Sequence, residues 1–340
     1  MIKAAVIGTG NMGKNHVRNY SEIEVTQLVA IADKNQETGN QFAEQFSVNY
    51  YEDYKELIEK EAPDLVSICV PTAYHFEIAK YCLEKGINIL LEKPITMVLE
   101  DANILMEISK KSSSKFYVGH IERFNPAVTK TKELIKNGDL GEITAVTTKR
   151  VGGFPPQIQD ANIAVDLAIH DIDIVNYLLD QYPKSVEVHK EKNHIQKRAD
   201  SVEFFLKYER TSAYIQANWI SPVKIRKLTI TGTEGYLEMD FIKQEIEFYK
   251  SNYEKFKTAD NDFQDDIIKF SDPDKITYNV AKKEPLREEI LHLVDCIQND
   301  KKTDCQFAVE ALKIALVKDE IRPHKEIESV VTEENKKLIK

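Results

Sequence analysis

A short apolar strand that runs straight into a glycine-rich turn and then a helix leaves few folds open to a chain. Ala4–Gly8 is such a run, and Gly8-Thr9-Gly10-Asn11-Met12-Gly13 reads G-x-G-x-x-G. Asn11–Tyr20 then has helical character. In this context the glycines have separate tasks. Gly8 permits the tight turn, Gly10 lets backbone approach a pyrophosphate, and Gly13 lets the helix pack close to the strand. Asn11 and Met12 stand where the helix begins, and the unpaired N–H groups of a helix N-terminus attract an anion. Asp33 ends the second apolar strand, Val25–Asp33. A carboxylate at that place accepts hydrogen bonds from ribose hydroxyls and repels a 2′-phosphate. NAD is therefore expected over NADP, with Lys34 keeping NADP open. The competing reading is a plain glycine turn beside a solvated aspartate.

Strand and helix keep alternating after the first unit. Leu65–Val70, Ile87–Leu91 and Lys115–Gly119 are nearly continuous apolar runs. Such runs belong to parallel strands covered by helices on both faces. Helices are expected at Asn35–Phe46, Tyr54–Lys60, Tyr74–Lys85 and Leu99–Lys111. After about residue 122 the pattern changes. Helices are expected at Pro126–Asn137 and Val165–Leu179, then a series of alternating strands between Ser185 and Tyr249, then helices at Pro285–Gln298 and Gln306–Glu320. The fold class is thus α/β: an N-terminal Rossmann-type doubly wound parallel sheet, plus a C-terminal α+β domain with a large open, mostly antiparallel sheet. The boundaries are 1–122 for the dinucleotide-binding domain, 123–330 for a substrate-binding and oligomerisation domain, and 331–340 for a charged tail. Asp260–Asp274 is acid-rich and is read as an exposed excursion.

Composition narrows the function. Lys plus Arg number 46 against 56 Asp plus Glu, a net charge of −10, which speaks against a nucleic-acid surface. The four cysteines have no C-x-x-C spacing, so neither a disulfide framework nor a metal site is expected. The first residues form a strand rather than a leader, and no run approaches ~18 apolar residues. A cytoplasmic protein with no membrane partner is expected.

Two further segments carry candidate chemistry. Glu92-Lys93-Pro94 follows the fourth strand, at the end where parallel strands bind ligands. From position alone, Lys93 reads equally as a surface residue. Asp166 and His170 are i and i+4 in a helical pattern, with Asp173 nearby. A carboxylate beside an imidazole orients it and raises its basicity, which suits removal of a hydroxyl proton while hydride leaves the same carbon. An ordinary charged helix stripe is the alternative. Pro71, Thr72 and His75 open the helix after the third strand and fall where a nicotinamide or substrate would lie; a helix-start histidine explains His75 equally.

Taken together, AVIGTGNMGKNH, Asp33, PTAYHFEIAKYCLEKG, LLEKPIT, DLGEI and DLAIHDIDIVNYL resemble the Gfo/Idh/MocA family of glucose–fructose oxidoreductases and inositol dehydrogenases. The resemblance spans nearly the whole chain. It implies that Lys93, Asp166 and His170 face a nicotinamide. His170 would be the general base, Lys93 would hold or polarise the reacting hydroxyl, and Asp166 would bind a substrate hydroxyl and help place His170. Where many members have a glycine pair, this chain has Ile163-Ala164-Val165. It also implies a homodimer or homotetramer formed through the second sheet. The stretches GHIERFNP (119–126) and RVGGFPPQ (150–157) resemble the UDP-N-acetylglucosamine 3-dehydrogenase subgroup. That implies a sugar-nucleotide substrate with Arg123, Asn125 and Arg150 among its contacts, and Lys149 as a further cation for the phosphates. The alternatives are an inositol or aldose dehydrogenase and, in a different class, a non-catalytic dinucleotide-binding regulator.

Overall fold

The computed structural model describes residues 1–154, 162–195, 197–257 and 266–318. The N-terminal part is built from β1 (Ile2–Ile7), α1 (Gly13–Glu22), β2 (Thr26–Ala32), α2 (Gln36–Phe46), β3 (Asn49–Tyr51), α3 (Tyr54–Glu61), β4 (Leu65–Ile68), α4 (His75–Glu84), β5 (Asn88–Glu92), α5 (Leu99–Lys111) and β6 (Phe116–Gly119). The six strands form one all-parallel sheet in the order β3-β2-β1-β4-β5-β6. Successive side chains of a strand point to opposite faces, and here both faces are buried. Val6, Leu65, Leu90 and Tyr117 enter one core, while Ile7, Val66, Leu91 and Val118 enter the other. The strand order reverses between β1 and β4, which opens the crevice where ligands of such sheets bind.

The second part follows with α6 (Pro126–Asn137), β7 (Ile143–Gly153), α7 (Ile169–Leu179), β8 (Ser185–Glu191), β9 (Ser201–Lys207), β10 (Ser212–Asn218), β11 (Ile220–Gly232), β12 (Gly235–Asp240), β13 (Glu245–Lys250), β14 (Tyr253–Lys257), β15 (Asp266–Phe270), β16 (Asp274–Asn279), α8 (Pro285–Gln298) and α9 (Gln306–Ala315). Its eight-stranded sheet has the order β16-β13-β12-β11-β7-β10-β9-β8. All of its pairings are antiparallel except β7 with β10. Helices α6 and α7 pack on one face of it. That face buries Val146, Phe204, Ile215, Leu228 and Ile230.

The two parts share their interior. The core that holds Ile7, Val66 and Leu91 continues without a break through Ile169, Ile172 and Val175 of α7 to Ile215 and Leu312. Helix α8 crosses back: its Leu286, Ile290, Leu293 and Val294 pack with Val17 and Tyr20 of α1 and Leu65 of β4. Residues 285–298 lie within the substrate domain as read from sequence, but they complete the first sheet's cover. The acid-rich 260–274 segment, read as an exposed excursion, has its described side chains, 269–274, exposed. Its described part, from 266, forms β15, which pairs with β14 in a two-stranded ribbon, and then leads into β16 at the edge of the large sheet. Residues 260–265 and the tail 331–340 lie outside the described residues, as do 319–320 at the end of the expected last helix, whose described part stops at Ala315.

Candidate active site

The glycine turn is tied down by contacts that only glycine allows. Gly8 has φ +89°, and a Cβ there would lie 2.8 Å from the Cys69 carbonyl carbon. A Cβ on Gly13 would sit 1.8 Å from the Gly8 carbonyl oxygen, so α1 rests directly on the end of β1. A Cβ on Gly10 would meet nothing within 4 Å, which leaves that face of the turn open for a ligand. The helix behind it has no side-chain cap at Met12; the Lys14 and Asn15 N–H groups donate to the Gly10 and Met12 carbonyls, which leaves the Met12 and Gly13 N–H groups for an anion. Asp33 is held by its neighbours. Its Oδ2 accepts hydrogen bonds from the backbone N–H and the hydroxyl of Thr9, each at 2.7 Å, and its Oδ1 accepts from Asn35 N–H at 2.8 Å. A carboxylate fixed this way at the mouth of the turn keeps one lone pair, on Oδ1, for a hydroxyl. Lys34, next to it, reaches over the Tyr74 ring at 5.6 Å. The open turn, the uncapped helix and the fixed carboxylate fit a dinucleotide. Gly8, Gly10, Asn11, Met12, Gly13 and Asp33 would hold it.

The next strand ends line the same crevice. Pro71 and Thr72 follow β4 and begin a short 3₁₀ turn. His75 is buried at the start of α4, with Nδ1 2.8 Å from the Pro94 carbonyl and Nε2 3.0 Å from the Val70 carbonyl. Both ring nitrogens therefore face backbone, and His75 ties the β4 and β5 ends together, in line with the helix-start alternative. The Lys93–Pro94 bond is cis. Glu92 is buried, and its Oε1 lies 2.9 Å from His16 Nε2. His16 Nδ1 meets Ser67 Oγ at 2.9 Å, and Ser67 Oγ meets the Tyr20 hydroxyl at 2.7 Å. Burial alone would push the Glu92 carboxyl up, but His16 and Lys93 outweigh it and hold it below its ordinary value. Ligand atoms of His16, Cys69 and Glu92 lie within 4.8 Å of one another. Both His16 nitrogens are already hydrogen-bonded, so the group reads as a relay linking α1 to the Glu92–Lys93–Pro94 turn. Sequence reasoning missed His16; its signal was position i+3 from Gly13, on the face of α1 that packs against the sheet.

Lys93 reaches across to the second domain. Its ammonium donates to the Asp166 backbone carbonyl at 2.8 Å and to Asp166 Oδ1 at 3.1 Å, and both side chains are largely buried. Ala164–Ala168 makes a π-helical turn before α7 begins. Such turns are uncommon and recur at functional sites. Asp166 and His170, expected to share one helix face, are not hydrogen-bonded to each other among the described contacts. Lys93 takes the Asp166 carboxylate instead, and His170 Nδ1 is buried without a partner. Nε2 is left as the ring nitrogen open to the cleft. Burial pushes His170 well below its ordinary value, and the positive charges of Lys93, Arg150, His120 and Arg226 push the same way. Asp173 is also committed elsewhere, as a bidentate partner of Arg123 at 2.6 and 2.7 Å.

The expected substrate contacts Arg123, Asn125 and Arg150 all have protein partners in the structure. Arg123 is clamped by Asp173 and lies against the Phe307 and Tyr177 rings. Asn125 is buried; it caps α6 through the Ala127 N–H and donates to the Phe241 carbonyl at 3.0 Å. Arg150 is 4% exposed and is held by Asp171 at 2.6 Å and Glu122 at 2.9 Å. Burial works against its charge, but the two carboxylates overcome it and raise its affinity for the proton. These ion pairs hold both guanidinium groups against Asp173 and Asp171 of α7. Pro155, Pro156 and Gln157 lie outside the described residues. Arg226 of β11, which the sequence did not single out, lies opposite Arg150 in the sheet register.

The two-domain fold agrees with comparisons to known proteins. Residues 2–120 match the NAD-binding Rossmann-fold model of an oxidoreductase family, and residues 132–317 match the C-terminal alpha/beta domain model of the same family. UDP-N-acetylglucosamine 3-dehydrogenase of Acidithiobacillus ferrooxidans is 25% identical over 248 residues, covering 73% of this chain and 77% of that protein. The NAD-linked scyllo-inositol 2-dehydrogenase of Bacillus subtilis is 28% identical over 315 residues, covering 88% and 87%. A solved structure of the A. ferrooxidans enzyme superposes with a TM-score of 0.79 at 23% identity, covering 93% of this chain and 95% of that one. With both domain models matched in order along a Rossmann sheet and an open α+β sheet, the chain belongs to the Gfo/Idh/MocA family of oxidoreductases.

Proposed function

We propose that this oxidoreductase is an NAD-dependent sugar dehydrogenase that oxidises a secondary hydroxyl, the 3-hydroxyl of UDP-N-acetylglucosamine or a related UDP-sugar, to a ketone. The observation that carries the chemistry is the Lys93–Asp166 ion pair at the carboxyl end of β5, with His170, whose Nδ1 is sealed and unpartnered, close enough to feel the Lys93 charge. The nicotinamide, when bound, supplies the hydride acceptor. His170 Nε2 takes the hydroxyl proton, because its surroundings keep the ring neutral. Lys93, held by Asp166, places its ammonium where negative charge grows on the substrate oxygen. Asp166 fixes Lys93 and offers its second carboxylate oxygen to a neighbouring hydroxyl. In the reverse direction His170 returns the proton. Asp33, anchored by Thr9, supports NAD over NADP, since a 2′-phosphate would face its charge.

The sugar-nucleotide reading is supported by the sequence of the 119–126 and 150–157 stretches and by the A. ferrooxidans relative. The inositol reading is supported by the B. subtilis relative. We place the enzyme in the cytoplasm as a homodimer or homotetramer. Supporting the assembly, Phe205, Val223 and Ile276 are exposed on strands of the large sheet. The deciding experiment follows NADH absorbance with UDP-N-acetylglucosamine, its uronate, myo-inositol and glucose, each with and without a ketone trap. Turnover confined to the UDP-sugars is expected. Turnover confined to inositol or glucose would replace the substrate while keeping the Lys93–His170 chemistry. NAD binding with no reduction by any sugar would favour a regulator.

A further inference from the structure

Arg150 and Arg226 face each other across β7 and β11, and their surroundings differ sharply. Paired residues of an antiparallel ladder point to the same face. Arg226 therefore shares the face that carries Arg150, whose partner Asp171 is the next residue after His170. Arg150 is sealed by two carboxylates. Arg226 is half-buried, and its hydrogen bonds all come from Nη1, to the carbonyls of Val151 at 2.8 Å and Ile225 at 3.0 Å. Among the described residues, none of its nitrogens has a carboxylate within ion-pair distance. Among the described residues its Nε and Nη2 groups have no hydrogen-bond partner, and neither is sealed from solvent. That Nε–Nη2 edge is one that grips a carboxylate or phosphate through two parallel hydrogen bonds.

The backbone around Arg226 is arranged for exposure of this edge. The β7–β11 register breaks between Ile220 and Ile225, immediately before it. Such irregularities re-aim a side chain beside an active site. The neighbouring Gly152 adds no side chain: even a Cβ there would come no nearer than 4.0 Å to the Arg226 guanidinium. Burial and the charge of Arg150 make Arg226 less comfortable as a cation, and a bound anion relieves both.

We propose that Arg226 binds an anionic group of the substrate, a phosphate or a carboxylate, and so sets a preference for charged sugars over neutral polyols. The inference rests on Lys93 and His170 marking the reacting centre. The test compares the NAD-loaded wild type with Arg226→Ala and Arg226→Lys on UDP-N-acetylglucosamine, glucose 6-phosphate, glucuronate, glucose and myo-inositol. These arms separate a diphosphate, a monophosphate and a carboxylate from uncharged rings. In Arg226→Ala, KM for the charged sugar that the enzyme uses is expected to rise about 30-fold, the size of a lost charge-assisted hydrogen bond. The kcat value should change little, Arg226→Lys should recover part of the loss, and any turnover of neutral sugars should be unchanged. Equal effects on charged and neutral sugars, or no effect on either, would overturn the proposal, as would a wild type that uses only neutral sugars. Should the wild type oxidise none of them, the dehydrogenase reading fails by itself. Calorimetric binding of the same three charged sugars then decides Arg226: affinity in the wild type that is lost in Arg226→Ala supports it, and no binding to the wild type refutes it.

Discussion

At the scale of single residues, His170 is governed by charges that arrive from four separate elements. Lys93 comes from the end of β5, His120 follows β6, Arg150 lies on β7 and Arg226 on β11. All of them, together with burial, disfavour the imidazolium. The ring must be neutral to accept a hydroxyl proton, so oxidation fails as pH falls through the His170 value, which lies below the ordinary 6.5. The acid limb of kcat/KM is therefore expected below pH 6.5 in the wild type and is expected to vanish, with at least ~100-fold less turnover, in His170→Ala. NAD affinity in that variant should be nearly unchanged, as read by fluorescence titration. A midpoint at or above 6.5, or near-normal turnover without the imidazole, would remove His170 from the base role. The low value has a chemical counterpart: a weak base suffices when Lys93 stabilises the alkoxide as it forms.

Elements decide how these residues meet. The turn between β1 and α1 brings two backbone segments into contact at Gly8 and Gly13. Gly13→Ala would drive a methyl group against the Gly8 carbonyl, where backbone rather than a flexible side chain must move. Loss of NAD binding is expected, with a fall in Tm of several degrees, consistent with overpacking that costs roughly 1–3 kcal/mol. A variant that binds NAD as the wild type does would show that α1 can retreat from β1 freely. The π-helical turn at Ala164–Ala168 has a comparable role on the other side of the cleft. It presents both the carbonyl and the carboxylate of Asp166 to Lys93. Helical i, i+4 spacing put Asp166 and His170 on one face of a single helix; in the structure Asp166 lies in the π-helical turn and His170 in α7, and Lys93 captures the carboxylate.

In the whole molecule, α8 closes the first sheet from the far end of the chain and brings a buried acid with it. Glu289 is fully buried, and neither carboxylate oxygen has a hydrogen-bond partner. Burial pushes its carboxyl well above its ordinary 4.5, with Glu92 and Asp173 adding to the effect. A group raised in the folded state binds more protons there than in the unfolded chain. Its contribution is fully present below about pH 4.5 and declines as pH rises above that value. Glu289→Gln removes this dependence. The variant should gain on the wild type between pH 5 and pH 8, by about 2–4 °C in Tm for each kcal/mol. A gap that narrows as pH rises would mean that Glu289 is ionised and stabilised in the fold.

The first sheet was legible in the sequence because its strands are continuous apolar runs and its glycine turn has a spacing dictated by covalent geometry. The helices at Pro126 and Pro285 were equally legible, since each starts at a proline placed at its first turn. Lys93, Asp166 and His170 could be named because their local patterns are short and distinctive. What only the tertiary structure decided is which partner each charged group takes. Arg123 and Arg150 are hidden in ion pairs, while Arg226, which no motif marks, keeps its donors. Likewise, α8 follows the second domain along the chain and packs against the first. Periodicity reports which face of an element is apolar. Ion pairs and helix docking join residues far apart along the chain, so their outcome depends on distances that exist only once the sheets have packed.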